Sequence, residues 1–252
     1  MSRIFLPKPL DHVVYPDSDG RPMAENTLQY HWIVLIKENL EILFRDRNDV
    51  FVAGDLFWYP VEGDPRIVTA PDVMVAIGRP KGRRGSYRQW EEDGIAPQVV
   101  FEIRSPSNDD AEMAEKLRFY DRFGAREFYD FDPDTGKLLG WLRKGRGLKP
   151  VPMVYGSTSP LLKIRFERAD PPEYLRLLDP RGRLFQTSVE LADERDEADR
   201  RADIERDRAD IESDRADLER DRADLERDRA DLERDRADRL AAKLRELGIE
   251  AE

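Results

Sequence analysis

Two carboxylates stand where local pattern does not account for them. Asp72 opens the apolar run Asp72-Val73-Met74-Val75, just after Ala70-Pro71, and Glu102 lies between Phe101 and Ile103 in Val99-Val100-Phe101-Glu102-Ile103. Both runs are rich in β-branched residues and read as buried strands. A carboxylate on a buried strand is costly unless a cation, a hydrogen-bond network or a metal accompanies it. Two such acids on neighbouring strands point to one shared cation. Lys116 and Tyr120 are four apart and share one face of the helix expected next. A strand-to-helix turn after Glu102 would fold that face over the strand ends. Two oxygen donors with a lysine nearby suit a hard divalent cation and hydrolytic chemistry. Asp72 and Glu102 are therefore the candidate metal ligands, and Asp72, Glu102 and Lys116 the candidate catalytic set. Arg104 stays protonated and cannot accept a proton, but its planar fork suits a bidentate grip on phosphate.

The helix that must position Lys116 and Tyr120 is legible from its ends. Ser107 or Asn108 is a candidate N-cap, Ser107-x-x-Asp110 has the form of a capping box, and Gly124 supplies the stop. Met113, Leu117 and Tyr120 recur at helical spacing between them. In front of the two strands, Pro22 to Phe44 reads as an amphipathic helix, with Leu28, Trp32, Leu35, Ile36, Leu40 and Leu43 on one stripe.

Taken in order, Pro71-Asp72, Glu102-Ile103-Arg104, Lys116 and Tyr120 resemble the motif of the PD-(D/E)xK nuclease superfamily. Tyr15-Pro16-x-Ser18-Asp19-Gly20-x-Pro22-Met23-Ala24-Glu25 and Tyr129-x-Phe131-Asp132-Pro133 are similar to its family of putative restriction endonuclease domains. The resemblance spans roughly Tyr15 to Gly182. It implies a restriction-endonuclease-like central mixed sheet flanked by helices, and a metal-dependent endonuclease acting on nucleic acid, double-stranded DNA above all. It further implies one or two Mg²⁺ ions, with Mn²⁺ able to substitute, held by Asp72, Glu102 and the Ile103 carbonyl. The superfamily usually carries Lys two residues after the Glu, where this chain has Arg104. In the resembled branch the following helix often supplies that Lys, which points to Lys116. An acid on the first helix can approach such a metal site, so Glu25 has two readings: a supporting residue, or a first-turn acid favouring the helix dipole. Tyr120 likewise either positions Lys116 or touches a phosphate, or is a core or rim aromatic. With Arg104 in place of the usual Lys, a nuclease-like domain that binds without cutting is the alternative function.

The remaining elements follow from pattern. Val50-Phe51-Val52-Ala53 and Leu56-Phe57-Trp58-Tyr59 read as strands, Glu127 to Phe131 and Leu138 to Leu142 as a hairpin, and Leu161 to Phe166 and Tyr174 to Leu178 as further strands. A helix, strands in series and a second helix after Glu102 suit an α/β (α+β) core. The stretch Gly78 to Gly94 reads as a long basic loop, with Arg79, Lys81, Arg83, Arg84 and Arg88 beside Tyr87 and Trp90. It is either a nucleic-acid-binding loop or a solvated one.

Charge divides the chain. From Glu190 onward there are 25 acidic and 15 basic residues, against 29 and 28 before it, so the acidity belongs to the tail and the front part is near neutral. The expected organisation is a domain over 1–188, a charged heptad-repeat helix over 189–247 and a short tail over 248–252. Glu-Arg-Asp-Arg-Ala-Asp-Leu recurs every seven residues, placing Ile204, Ile211, Leu218, Leu225 and Leu232 at one position. With Leu at d the a positions are Arg208, Arg215, Arg222 and Arg229, a poor seam. A solvated helix and a weak coiled coil, which would make a homodimer, both stay open. Pairs such as Arg208–Glu212 and Glu212–Arg215 would support the helix. The chain holds no cysteine, which excludes thiolate nucleophiles, cysteine zinc sites and disulfides, and its two histidines, His12 and His31, exclude a histidine-rich metal site. With no signal-peptide core and no membrane-length apolar run, a cytoplasmic, membrane-free protein is expected.

Overall fold

Local signals decide where the helices and strands begin and end. The computed structural model of the chain describes residues 13–18, 20 and 24–246. The expected irregular first residues, the helix start at Pro22 and the tail over 248–252 lie outside the described residues, as do Asp19 and Leu247. Helix α1 (Thr27–Leu43) starts where the Asn26 side chain caps the Gln29 N–H, so Glu25 precedes the helix rather than lying on it. Strand β1 (Val50–Gly54) and the short β2 (Trp58–Tyr59) follow, then β3 (Val73–Ile77), β4 (Tyr87–Arg88) and β5 (Val99–Ile103). Helix α2 (Asp110–Phe123) is capped by Asp109, whose carboxylate accepts from the Glu112 N–H, not by Ser107 or Asn108 as the capping-box pattern suggested. Asn108 is drawn away because its own side chain accepts from the Ser105 N–H in the turn. Gly124 ends α2 in the left-handed region at φ +106, as expected.

The chain continues with β6 (Glu127–Asp132), β7 (Lys137–Lys144), β8 (Gly147–Pro150), β9 (Arg165–Arg168) and β10 (Leu175–Leu178). Leu161 to Ile164 form a turn rather than the start of a strand; the Lys163 N–H closes onto the Ser159 carbonyl. Six strands make one mixed sheet in the order β1-β3-β5-β6-β7-β8, with β5 and β6 parallel and the other neighbours antiparallel. The parallel pair is the one α2 crosses over, as a parallel connection requires.

Side chains on a strand alternate between faces, and here the alternation separates two cores. Val73, Val75, Phe101, Ile103, Tyr129 and Phe131 pack with α1, β9 and β10 on one face. Met74, Ala76, Val100 and Phe128 pack with Met113 and Tyr120 of α2 and with Trp58 of β2 on the other. By the same alternation Asp72, Glu102 and Asp130 fall on the α2 face. The parity of three strands thus points the acids toward one helix.

By contact the chain divides into two units, Met1–Thr187 and Ser188–Glu252. Helix α3 (Ser188–Glu246) makes up the described part of the second, a single run of 59 residues, about 88 Å long at roughly 1.5 Å per residue. Ion pairs join Asp203 to Arg206, Asp217 to Arg220 and Asp224 to Arg227 at 3.0–3.2 Å. Each Arg reaches back to the acid one turn earlier, because helical side chains lean toward the N-terminus. Neither Arg208–Glu212 nor Glu212–Arg215 is among the described pairs. Ile204, Ile211, Leu218, Leu225 and Leu232 are all exposed. Such pairs are each worth roughly 0.3 kcal/mol and are screened by salt. A peptide spanning 188–246 is therefore expected to lose helicity by circular dichroism as NaCl rises from about 0.01 M to about 1 M. Helicity that holds or grows with salt would instead favour a hydrophobic, coiled-coil origin. No helix among the described residues is long and apolar enough to cross a membrane.

Candidate active site

Strand register brings the acids together. In the antiparallel β3–β5 pair Val73 faces Phe101, so one step further Asp72 faces Glu102. In the parallel β5–β6 pair Glu102 faces Asp130. Three carboxylates therefore stand in a row across three adjacent strands, roughly 4.8 Å from strand to strand. All three are buried: Asp72 is 8 %, Glu102 1 % and Asp130 2 % exposed.

Two cations answer them, and each takes one acid. The Lys116 ammonium lies 2.8 Å from Glu102 Oε2, and the Tyr120 hydroxyl donates to Glu102 Oε1. Tyr120 is held flat against Trp58, the rings at 4° to each other, and tilted on Phe128, so its hydroxyl has a fixed aim. Arg104 forks onto Asp130, with Nε 2.8 Å from Oδ1 and a terminal nitrogen 2.7 Å from Oδ2, and extends its third arm to Asp110 at 2.7 Å. The guanidinium proposed from sequence as a phosphate clamp is thus bound to the chain's own acids. Asp130, absent from the set expected from sequence, carries the same mark as Glu102: a carboxylate between Tyr129 and Phe131 in a buried strand.

Among the described residues Asp72 has no cation of its own. Its Oδ2 accepts the Ile103 N–H at 2.6 Å, and its carboxyl group lies within hydrogen-bonding reach of Glu102. Burial, and then the Glu102 charge, push the Asp72 carboxyl well above the usual range against the pull of Lys116. Burial alone would lower the Lys116 ammonium, but Glu102 and Asp72 outweigh it and hold its pKa above the ordinary value. Burial, and then Glu102, raise the Tyr120 phenol, which stays a donor.

The Asp72–Glu102–Lys116 group therefore carries two buried carboxylates against one ammonium. Either a proton or a further cation must supply the missing charge. Its donors are hard oxygens, the kind Mg²⁺ takes, and Mg²⁺ sites commonly use only one or two carboxylates with water and phosphate completing the shell. The residues present fit the ion. Among the described residues no group of three or more His, Cys, Asp or Glu side chains is placed to hold a metal ion, and Asp130 of the acid row is paired with Arg104. The Ile103 carbonyl is already used in part: Gln29 Nε2 donates to it at 2.9 Å, while Gln29 Oε1 accepts the Glu25 N–H. Gln29, a buried polar residue on the stripe of α1, had no feature in the sequence to mark it.

Glu25 stays outside this group. Ser105 Oγ donates to its Oε2 at 2.8 Å and Ser107 Oγ to its Oε1 at 2.6 Å, and these bonds, Ser107 first, hold its pKa below the usual value. It ties the turn after β5 to the start of α1.

The stretch after β3 is more ordered than a long loop. It contains β4 and a short 3₁₀ turn over Gln89–Glu92. Arg79 Nε and Arg84 Nε lie 2.8 and 2.6 Å from the two oxygens of Glu92, and the Arg84 guanidinium sits 4.0 Å above the Phe51 ring. Burial alone would raise Glu92, yet Arg84 and Arg79 hold it below the usual range. Lys81 donates to the Phe44 and Arg45 carbonyls, and Arg88 pairs with Glu91 and lies over Tyr15. Arg83 is exposed and makes no ion pair with a described residue.

Residues 19–166 match the family model Uma2, described as "Putative restriction endonuclease". The chain is also similar to a solved structure, a putative nuclease belonging to DUF820 from Anabaena variabilis ATCC 29413, at 15% identity and a TM-score of 0.41. That likeness covers 56% of this chain and 74% of the other. No curated protein matches. The matched span holds every residue of the acid row, Lys116, Tyr120 and Arg104, and on the strength of that match the chain belongs to the Uma2 family of putative restriction endonucleases.

Proposed function

We propose that this nuclease-family domain hydrolyses phosphodiester bonds of double-stranded DNA, with Mg²⁺, or Mn²⁺ in its place, held by Asp72 and Glu102. The observation that carries the reading is the buried pair of carboxylates served, among the described residues, by a single ammonium. Bound there, the ion would supply Lewis acidity toward a phosphate oxygen and an acidified water.

The chain's own groups prepare the rest. The Ile103 N–H and the Tyr120 hydroxyl fix the two carboxylates, so no reorganisation is needed when the site is used. Lys116, kept cationic by its neighbours, serves as a positive charge for the reacting phosphate and not as a proton acceptor. Its side chain is 24% exposed, against 1% for Glu102, so it is the member of the pair that substrate can reach. Among the cations of the basic stretch, Arg83 is free to meet a phosphate.

A second reading has one observation in its favour. Arg104, standing where the superfamily usually has its Lys, is neutralised by Asp130, as in a domain that binds nucleic acid without cutting it. Supercoiled plasmid incubated with the protein in Mg²⁺, Mn²⁺ or EDTA separates the two. Nicking or linearisation with either metal and none in EDTA is expected. Binding without cleavage in both metals would establish the second reading and remove the first.

A further inference from the structure

A groove of about 520 Å³ runs between the segment before β3 and the C-terminal half of α2, lined by Arg66, Ile67, Val68, Arg118, Phe119, Arg122 and Phe123. Both walls lead into the acid site. The first wall continues through Thr69, a hydrogen-bond neighbour of the Tyr120 hydroxyl, to Asp72. The second is the helix that carries Lys116 and Tyr120. Its floor is aromatic: Phe119 and Phe123 lie 4.6 Å apart, and Phe119 meets Trp58 edge-on.

Three guanidiniums rim this apolar floor. Arg118 and Arg122 are one helical turn apart, a like-charge spacing that opposes the helix locally, and Arg66 adds a third charge from a different segment. Their local partners are weak. Arg66 is 87% exposed and bound to Asp64, two residues away. Arg118 is 68% exposed and 3.6 Å from Glu115. Arg122 is exposed, lies over the Phe123 ring and makes no ion pair with a described residue. Exposed pairs of this kind contribute little and exchange readily. The contrast is with Arg79 and Arg84, whose side chains are 13% exposed and locked on Glu92.

We infer that this groove, rather than the basic stretch after β3, carries the phosphate backbone of the duplex beside the acid site, with Arg66, Arg118 and Arg122 on successive phosphates. The inference rests on the nuclease reading above and gives it a duplex-binding surface beyond Arg83. Guanidinium forks match phosphate oxygens, and the phenyl floor takes the sugar faces between them.

The test uses the full chain and a fluorescein-labelled duplex oligonucleotide, read by anisotropy in EDTA over a range of salt. The proteins are wild type, Arg118→Gln/Arg122→Gln, and Arg176→Gln, an exposed arginine on β10 as control. Each phosphate contact contributes about 0.9 to the slope of log affinity against log salt, so the double variant should lower that slope by about 1.8. Its affinity near 0.1 M salt should fall about tenfold or more, with the control unchanged. In Mg²⁺ the double variant should raise KM for duplex cleavage while hydrolysis of the small diester bis(p-nitrophenyl) phosphate stays at the wild-type rate. Because all the changed residues are exposed, their melting temperatures should match wild type. An unchanged slope and affinity in the double variant overturns the groove, even if the wild type cleaves DNA. Wild type that does not bind duplex overturns it as well. Wild type that binds through these arginines but never cleaves upholds the groove and removes the nuclease reading alone.

Discussion

Glu102→Gln protein is expected to fold normally and to lose Mg²⁺-dependent cleavage by roughly a thousandfold. Asp72→Asn should lose it to the same degree and should melt at a higher temperature than wild type in EDTA. Asn keeps an oxygen for the Ile103 N–H, offers an amide donor toward Glu102, and removes the negative charge that has no cation of its own. A gain of about 2–4 °C is the expected size for a domain of this length. The pH dependence fixes the sign. Burial and Glu102 raise the Asp72 pKa in the folded protein, so the fold binds a proton that the unfolded chain releases above about pH 3.9. That contribution is complete below the unfolded value and is lost as pH rises through the folded one. Besides Glu102, Lys116 and Tyr120 face this carboxyl, and both stay protonated through neutral pH. The Asn advantage in EDTA should therefore be small near pH 5 and larger near pH 8. Thermal melts at the two pH values decide it: a variant that melts below wild type at both would mean that Asp72 is compensated in the fold, and the argument for a missing cation would fail.

Asp130→Ala is expected to cost about 3 kcal/mol, read by urea unfolding, with a fall in melting temperature of about 6–12 °C. Arg104 is 12% and Asp130 2% exposed along their side chains, and removing the acid leaves the guanidinium buried with only the exposed Asp110 as partner. Replacing both members, Arg104→Met/Asp130→Leu, should recover most of the loss, since a buried ion pair is rarely better than an apolar pair of similar volume. If the double variant regains stability and still cleaves DNA, Arg104 belongs to the framework of the site. Regained stability with cleavage abolished would give Arg104 a direct part in the reaction.

How far the site was readable follows from how far apart its partners lie in the chain. Asp72 and Glu102 stand out in sequence because each interrupts an apolar, β-branched run, and Lys116 and Tyr120 pair up because four residues make one helical turn. Gly124 marks the end of their helix for an equally local reason. Asp130 carries the same signal as Glu102, but a strand followed by a hairpin turn accounts for its neighbourhood without a site. Arg104 could be recognised as a fork for an anion, but its sequence contains no sign of which anion. Likewise the basic run from Arg79 to Arg88 looked like one surface, whereas Glu92 folds Arg79 and Arg84 inward.

By itself, the sequence determined the elements: the strands around Asp72 and Glu102, the amphipathic helices and the seven-residue repeat of the tail. These rest on periods of two and near four residues, which side-chain geometry imposes wherever the chain goes. Only the tertiary structure decided the partners. Arg104 finds Asp130 across 26 residues, Gln29 reaches the Ile103 carbonyl across 74, and Ser105 holds Glu25 across 80. Those meetings depend on strand order and register, which place Asp72, Glu102 and Asp130 in one row, and a one-residue slip in any strand would turn its acid to the opposite face.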